Sequence, residues 1–230
     1  MHDAFDRRRF LTRSGLVLTG IALAPSAAVL AQEKEKEGEE EVSPIEDLMR
    51  EHGLLNRVLL LYEACGRRLA SKTAFDPAVL NQAAGIIRDF IEGYHEKLEE
   101  DHLFPRFEKA SKLTELVAVL RKQHAAGRSV TARILQATNG GKLRNVRRTL
   151  LRDLYAFSRM YRPHEAREDT VLFPALHSLV SRNEYDALGE DFEKKEHELF
   201  GKEGFEGMVV KVGELEKKLG IYELSRFTPA

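Results

Sequence analysis

One phrase occurs twice in this chain, and it leaves little freedom in what the chain can fold into. His95-Glu96-Lys97-Leu98-Glu99 runs on to Leu103-Phe104-Pro105, and His164-Glu165-Ala166-Arg167-Glu168 runs on to Leu172-Phe173-Pro174. Both read H-E-x-x-E, three further residues, then L-F-P. On a helix, residues four apart lie one above the other on the same face. Each phrase therefore aims one imidazole and one carboxylate at a common point.

The residues around the phrases keep the same helical period. The first helix opens at Ser43-Pro44-Ile45-Glu46, a capping-box sequence with proline at the first helical position. Leu48, His52, Leu55, Leu59 and Tyr62 follow as its stripe. The second is expected to open at Asp76-Pro77 and to end or kink at Pro105. The third is predicted over Thr114–Thr138, with His124 among apolar residues. Asn139-Gly140-Gly141 breaks it. The fourth is predicted from about Lys142 to Val171, with a bend at Pro163. His52 precedes His95 by 43 residues and His124 precedes His164 by 40. Each half thus reads as a helical hairpin with one histidine on its first helix and H-x-x-x-E on its second. Two hairpins predict an all-α, antiparallel up-and-down four-helix bundle over residues 44–180. Residues 181–230 add a C-terminal helical extension of about two helices. Its tail, Ile221, Tyr222, Leu224 and Phe227, is expected to pack back on the bundle.

Composition agrees. Charged residues make up 32% of the chain and interleave with apolar ones, while the formal net charge is only −1. That balance gives no reason to expect a nucleic-acid partner. The single cysteine, Cys65, reads as a small buried hydrophobe on the first helix.

Four imidazoles and two carboxylates at one level of an apolar core are costly unless something pairs with them. A cation removes that cost. Imidazole with carboxylate suits iron, manganese or zinc. Two central carboxylates can bridge two ions, each ion taking two histidines and keeping open positions. Glu96 and Glu165, turned about 100° from their histidines, read as surface or supporting groups. His102, two turns beyond His95, is a weaker candidate on the inner face. His177 reads as exposed, and Arg128 as a partner for a carboxylate or a salt bridge at the bundle end.

The set H…HxxxE…H…HxxxE, with Leu-Phe-Pro after each pair, resembles the hemerythrin-like family of HHE cation-binding domains. The resemblance implies a four-helix bundle holding a non-haem di-iron centre, oxo- or hydroxo-bridged. It implies His52, His95, Glu99, His124, His164 and Glu168 as ligands, with Glu99 and Glu168 as bridges. The oxygen-carrying hemerythrins have H-x-x-x-H on the third helix, where this chain has His124 and Arg128, and H-x-x-x-x-D on the fourth. The more symmetric, less histidine-rich set implies peroxide or redox chemistry rather than reversible oxygen carriage. The small ligand would be dioxygen, peroxide or nitric oxide, and the protein an enzyme consuming peroxide or a non-enzymatic binder, sensor or scavenger. His197, in Glu196-His197-Glu198-Leu199-Phe200-Gly201, resembles a segment of extended bacterial members. It is read either as a further ligand or as a polar residue at the rim.

The N-terminus carries an address. Arg7-Arg8-Arg9-Phe10-Leu11, an apolar run from Gly15 to Leu30 and Val29-Leu30-Ala31 follow the order of a signal peptide, and the paired arginines resemble a twin-arginine signal. The run is interrupted by Pro25 and short for a membrane span. Residues 1–31 are thus expected to be cleaved on export to the periplasm or beyond, and the charged residues 32–43 to form a solvated linker.

Overall fold

The computed structural model describes residues 42–139, 143 and 146–229. The expected signal peptide and most of the charged linker lie outside the described residues. Those described are helical, with no strand among them. Helix α1 spans Pro44–Ser71. Helix α2 begins at Pro77–Ile86, where the Asp76 side chain accepts from the Ala78 N–H. It continues through Ile87–His95, Glu96–Leu98 and Glu99–Leu103 to Phe104–Lys109. Helix α3 is Thr114–Thr138, the predicted span. Helix α4 is Arg147–Arg167, continued by Glu168–Leu172 and Phe173–Leu176. Helices α5 (Arg182–Phe200) and α6 (Gly204–Leu219) form the extension. Helix α4 begins at Arg147, after the expected Lys142, and continues through Pro163.

Neither Leu-Phe-Pro stops its helix. In both copies the five residues ahead of the Phe-Pro, Glu99–Leu103 and Glu168–Leu172, widen into a π turn. The Phe104 N–H reaches back five residues to the Glu99 carbonyl, and the Phe173 N–H to the Glu168 carbonyl. Proline cannot donate and crowds the carbonyl four residues before it. Widening the turn carries the helix past that defect, and such turns recur at functional sites. A longer π segment, Ile87–His95, leads into the first phrase and ends on its histidine.

Helix α1 packs on α4 and α6, and α3 packs on α4 and on the first part of α2. Leu48, Leu55, Leu59 and Tyr62 of α1 are buried with Val117, Leu120 and Ile134 of α3 and Leu150, Leu154 and Phe157 of α4. Burying side chains of this size stabilises by roughly 1.5–3 kcal/mol each. Cys65 is buried in this core, and burial pushes its thiol up to about 12. The extension is held on α2 by aromatic contacts: Phe200 lies 5.2 Å from Phe90 and 5.6 Å from Tyr94. A fork from Arg57 to Glu216 at 3.0 and 2.6 Å fixes α6 on α1. The tail departs from expectation. Tyr222, Leu224 and Phe227 are 46%, 83% and 48% exposed. Only Ile221 rests against the core. Three apolar residues in a short terminal turn have too little facing surface to bury.

Candidate metal centre

The six residues of the repeated pattern converge. His52, His95, Glu99, His124, His164 and Glu168 are each no more than 3% exposed. Helices α1 and α2 bring His52 and His95 together, Nε2 to Nε2 at 3.0 Å. Helices α3 and α4 do the same for His124 and His164 at 3.2 Å. The two glutamates lie between the pairs. Glu99 faces His95 with Oε1 at 3.8 Å and His124 with Oε2 at 3.4 Å. Glu168 Oε2 is 3.1 Å from His164 and 3.4 Å from His52. Each acid thus spans one histidine of each pair. Two overlapping groups of possible ligands result, His52–His95–Glu99 and Glu99–His124–His164–Glu168, sharing Glu99.

The outer ring nitrogens decide what the inner ones present. His52 Nδ1 donates to Asp169 Oδ1 at 2.7 Å, and His95 Nδ1 to Glu51 Oε2 at 2.7 Å. His124 Nδ1 donates to Glu100 Oε1 at 3.1 Å, and His164 Nδ1 to Gln123 Oε1 at 2.8 Å. A carboxylate or amide oxygen only accepts, so the proton of each neutral imidazole sits on Nδ1 and the lone pair on Nε2. Burial keeps these rings neutral: it lowers all four, His95 most strongly and His164 to about 4. Four Nε2 lone pairs therefore face three glutamate oxygens, Oε1 and Oε2 of Glu99 and Oε2 of Glu168, none of which has a hydrogen-bond partner. Burial, reinforced by neighbouring acids, pushes Glu99 and Glu168 well above the carboxylate range. Once the carboxyl protons leave, the pocket holds only acceptors, which cations neutralise, and the residues present fit a pair of metal ions. A partner on the far side of each metal-facing imidazole is the usual support of a histidine ligand.

A second ring of contacts surrounds this one. Glu96 and Glu165 are buried rather than at the surface. Glu96 accepts from the Tyr161 hydroxyl at 2.5 Å and pairs with Arg128 at 2.8 Å. Arg128 also reaches Glu100 at 2.8 Å. Glu165 accepts from Asn56, and burial lifts its carboxyl to about 8. Tyr161 lies 5.3 Å from the His164 ring.

The remaining candidates fall elsewhere. His197 is exposed on α5 and outside these groups; its neighbour Glu196 turns inward instead and accepts from the Phe205 N–H. His102 does not face the centre but sits edge-on to Phe192 of α5 at 5.5 Å. The π turn starting at Glu99 inserts an extra residue per turn and rotates His102 off the inner face. His177 is exposed, beside Tyr185. Sequence reading did not single out Glu51, Asp169, Glu100 or Gln123 as partners of the histidines. One signal was available for two of them: an acid follows the second glutamate, as Asp169, and the first, as Glu100.

Comparisons with known proteins agree with this centre. A family model described as the Hemerythrin HHE cation binding domain matches residues 43–176. Uncharacterized protein Rv1995 of Mycobacterium tuberculosis and Uncharacterized protein Mb2018 of Mycobacterium bovis are each 50% identical over 196 residues, covering 84% of this chain and 77% of theirs. No solved structure matches.

Proposed function

The chain belongs to the hemerythrin HHE cation-binding family, and from that premise we propose that it is an exported protein whose non-haem iron pair reacts with peroxide or dioxygen. The bundle carrying the pair is an antiparallel up-and-down one of four helices, α1 to α4, with α5 and α6 as an added layer. The observation that carries this reading is the inward ring formed by Nε2 of four histidines, paired at 3.0 and 3.2 Å, around the carboxyl oxygens of Glu99 and Glu168, which have no hydrogen-bond partner. Glu99 and Glu168 would bridge, and His52 with His95 and His124 with His164 would hold one ion each. Imidazole with carboxylate matches iron, with manganese or zinc as competitors. A bound iron pair with free coordination positions supplies redox chemistry toward peroxide or dioxygen.

The protein's own residues bind, orient and keep water out. The Nδ1 contacts fix each imidazole's tautomer. Phe173 stacks on His52 at 5.5 Å and Phe104 on His124 at 5.5 Å, so the two Leu-Phe-Pro sequences wall the centre with rings. A centre this buried favours a ligand of two or three non-hydrogen atoms over a larger substrate.

The second reading is a carrier or scavenger of dioxygen, nitric oxide or iron using the same residues. Mixing the iron-loaded protein with peroxide in a stopped-flow instrument separates the two. Catalytic loss of peroxide over many turnovers supports the enzyme, and one stoichiometric spectral change supports the binder. Native protein carrying zinc, or no transition metal, sinks both. Export rests on residues 1–31, and N-terminal sequencing of protein from the periplasmic fraction tests it.

A further inference from the structure

The four histidines differ most in what stands behind them. Each of the two acids faces one histidine of each pair, so the clearest difference in kind between the two metal positions lies on the Nδ1 side. His52 and His95 each donate to a carboxylate, Asp169 and Glu51, at 2.7 Å. His124 donates to a carboxylate at the longer distance of 3.1 Å, and that carboxylate, Glu100, is also held by Arg128 at 2.8 Å and Lys97 at 2.5 Å. His164 donates to no carboxylate at all. Its partner is the neutral amide of Gln123, at 2.8 Å.

A carboxylate behind an imidazole draws the Nδ1 proton toward itself and makes Nε2 a stronger donor to a metal. An amide does this weakly, and a carboxylate whose charge two cations already share does it less. Resting on the two-metal reading above, we infer that the two positions are unequal. The ion between His52 and His95 is held more tightly, the ion between His124 and His164 leaves first, and Gln123 is the positioning residue that sets the difference. The approximate twofold repeat of the sequence thus hides a functional asymmetry: one ion is retained while the other exchanges.

The test uses the metal-loaded protein as isolated. Release into excess chelator is followed by elemental analysis, and crystals grown from half-released protein are read by anomalous scattering at the metal's absorption edge. Two release phases are expected, separated by about 10–100-fold, the usual effect of removing such a partner. Residual metal should lie beside His52 and His95. Gln123→Glu should slow the fast phase toward the slow one and leave the slow one in place. Asp169→Asn should speed the slow phase about tenfold or more, an independent readout if the first variant does not fold. Release of both ions in one phase, or residual metal beside His124 and His164, overturns the inference while leaving the two-metal reading intact. A protein holding fewer than two ions overturns both.

Discussion

Gly127 offers the sharpest check on the packing that supports the centre. It sits on α3 over the Tyr161 ring, and a Cβ there would lie 2.1 Å from Tyr161 Oη and 2.9 Å from Cε2 and Cζ. The ring has nowhere simple to go: it is 1% exposed and stacked on Phe157 at 4.3 Å. Gly127→Ala must therefore displace Tyr161 and break its hydrogen bond to buried Glu96. Two effects oppose each other. Alanine favours a helix interior over glycine by about 1 kcal/mol. Against that stand overpacking, about 1–3 kcal/mol, and a lost hydrogen bond to a charged group, about 1.5–3 kcal/mol. The net expectation is a loss of roughly 2–5 kcal/mol. At a urea slope of about 2 kcal/mol/M, the unfolding midpoint falls by roughly 1–2 M. In a Tyr161→Phe background the closest clash is gone, so the same substitution should cost less. A Gly127→Ala protein as stable as the parent, or more so, would refute the reasoning, because helix propensity alone predicts that sign.

Three further outcomes follow from the same structure. Burial raises the Glu165 carboxyl from 4.5 to about 8, so the fold keeps a proton that the unfolded chain releases. That contribution is complete below pH 4.5 and is lost as pH rises through about 8, at ~1.4 kcal/mol per unit and up to about 5 kcal/mol. The advantage of Glu165→Gln over the parent, from urea unfolding at several pH values, should grow from pH 5 to 8 and then level; a constant difference argues against it. Chelation should lower the unfolding temperature, since each ion bound at 100 times its Kd contributes about 2.7 kcal/mol, and readdition of iron should restore it. Phe192→Ala, which empties a buried site under α5, should cost about 3–5 kcal/mol, whereas Leu224→Ser on the exposed tail should fall within about 0.5 kcal/mol; calorimetry on both variants would expose a reversal.

Much of this protein was legible in its order of residues because the governing rules are local. Histidine and glutamate four apart share a helix face whatever surrounds them, Asp76-Pro77 starts a helix by its own chemistry, and Asn139-Gly140-Gly141 breaks the helix that ends at Thr138. Those features were enough to place His52, His95, Glu99, His124, His164 and Glu168 at one level. The three-dimensional arrangement alone decided what stands behind them. Asp169 meets His52 across 117 positions of chain, and Glu51 meets His95 across 44; no periodicity within one helix encodes such a meeting. It also decided that the Phe-Pro pairs are carried through by π turns, so that His102 turns toward Phe192, and that His197 stays exposed on α5. A widened turn rotates every later side chain, and its occurrence depends on how neighbouring helices accommodate a carbonyl that proline leaves without a donor.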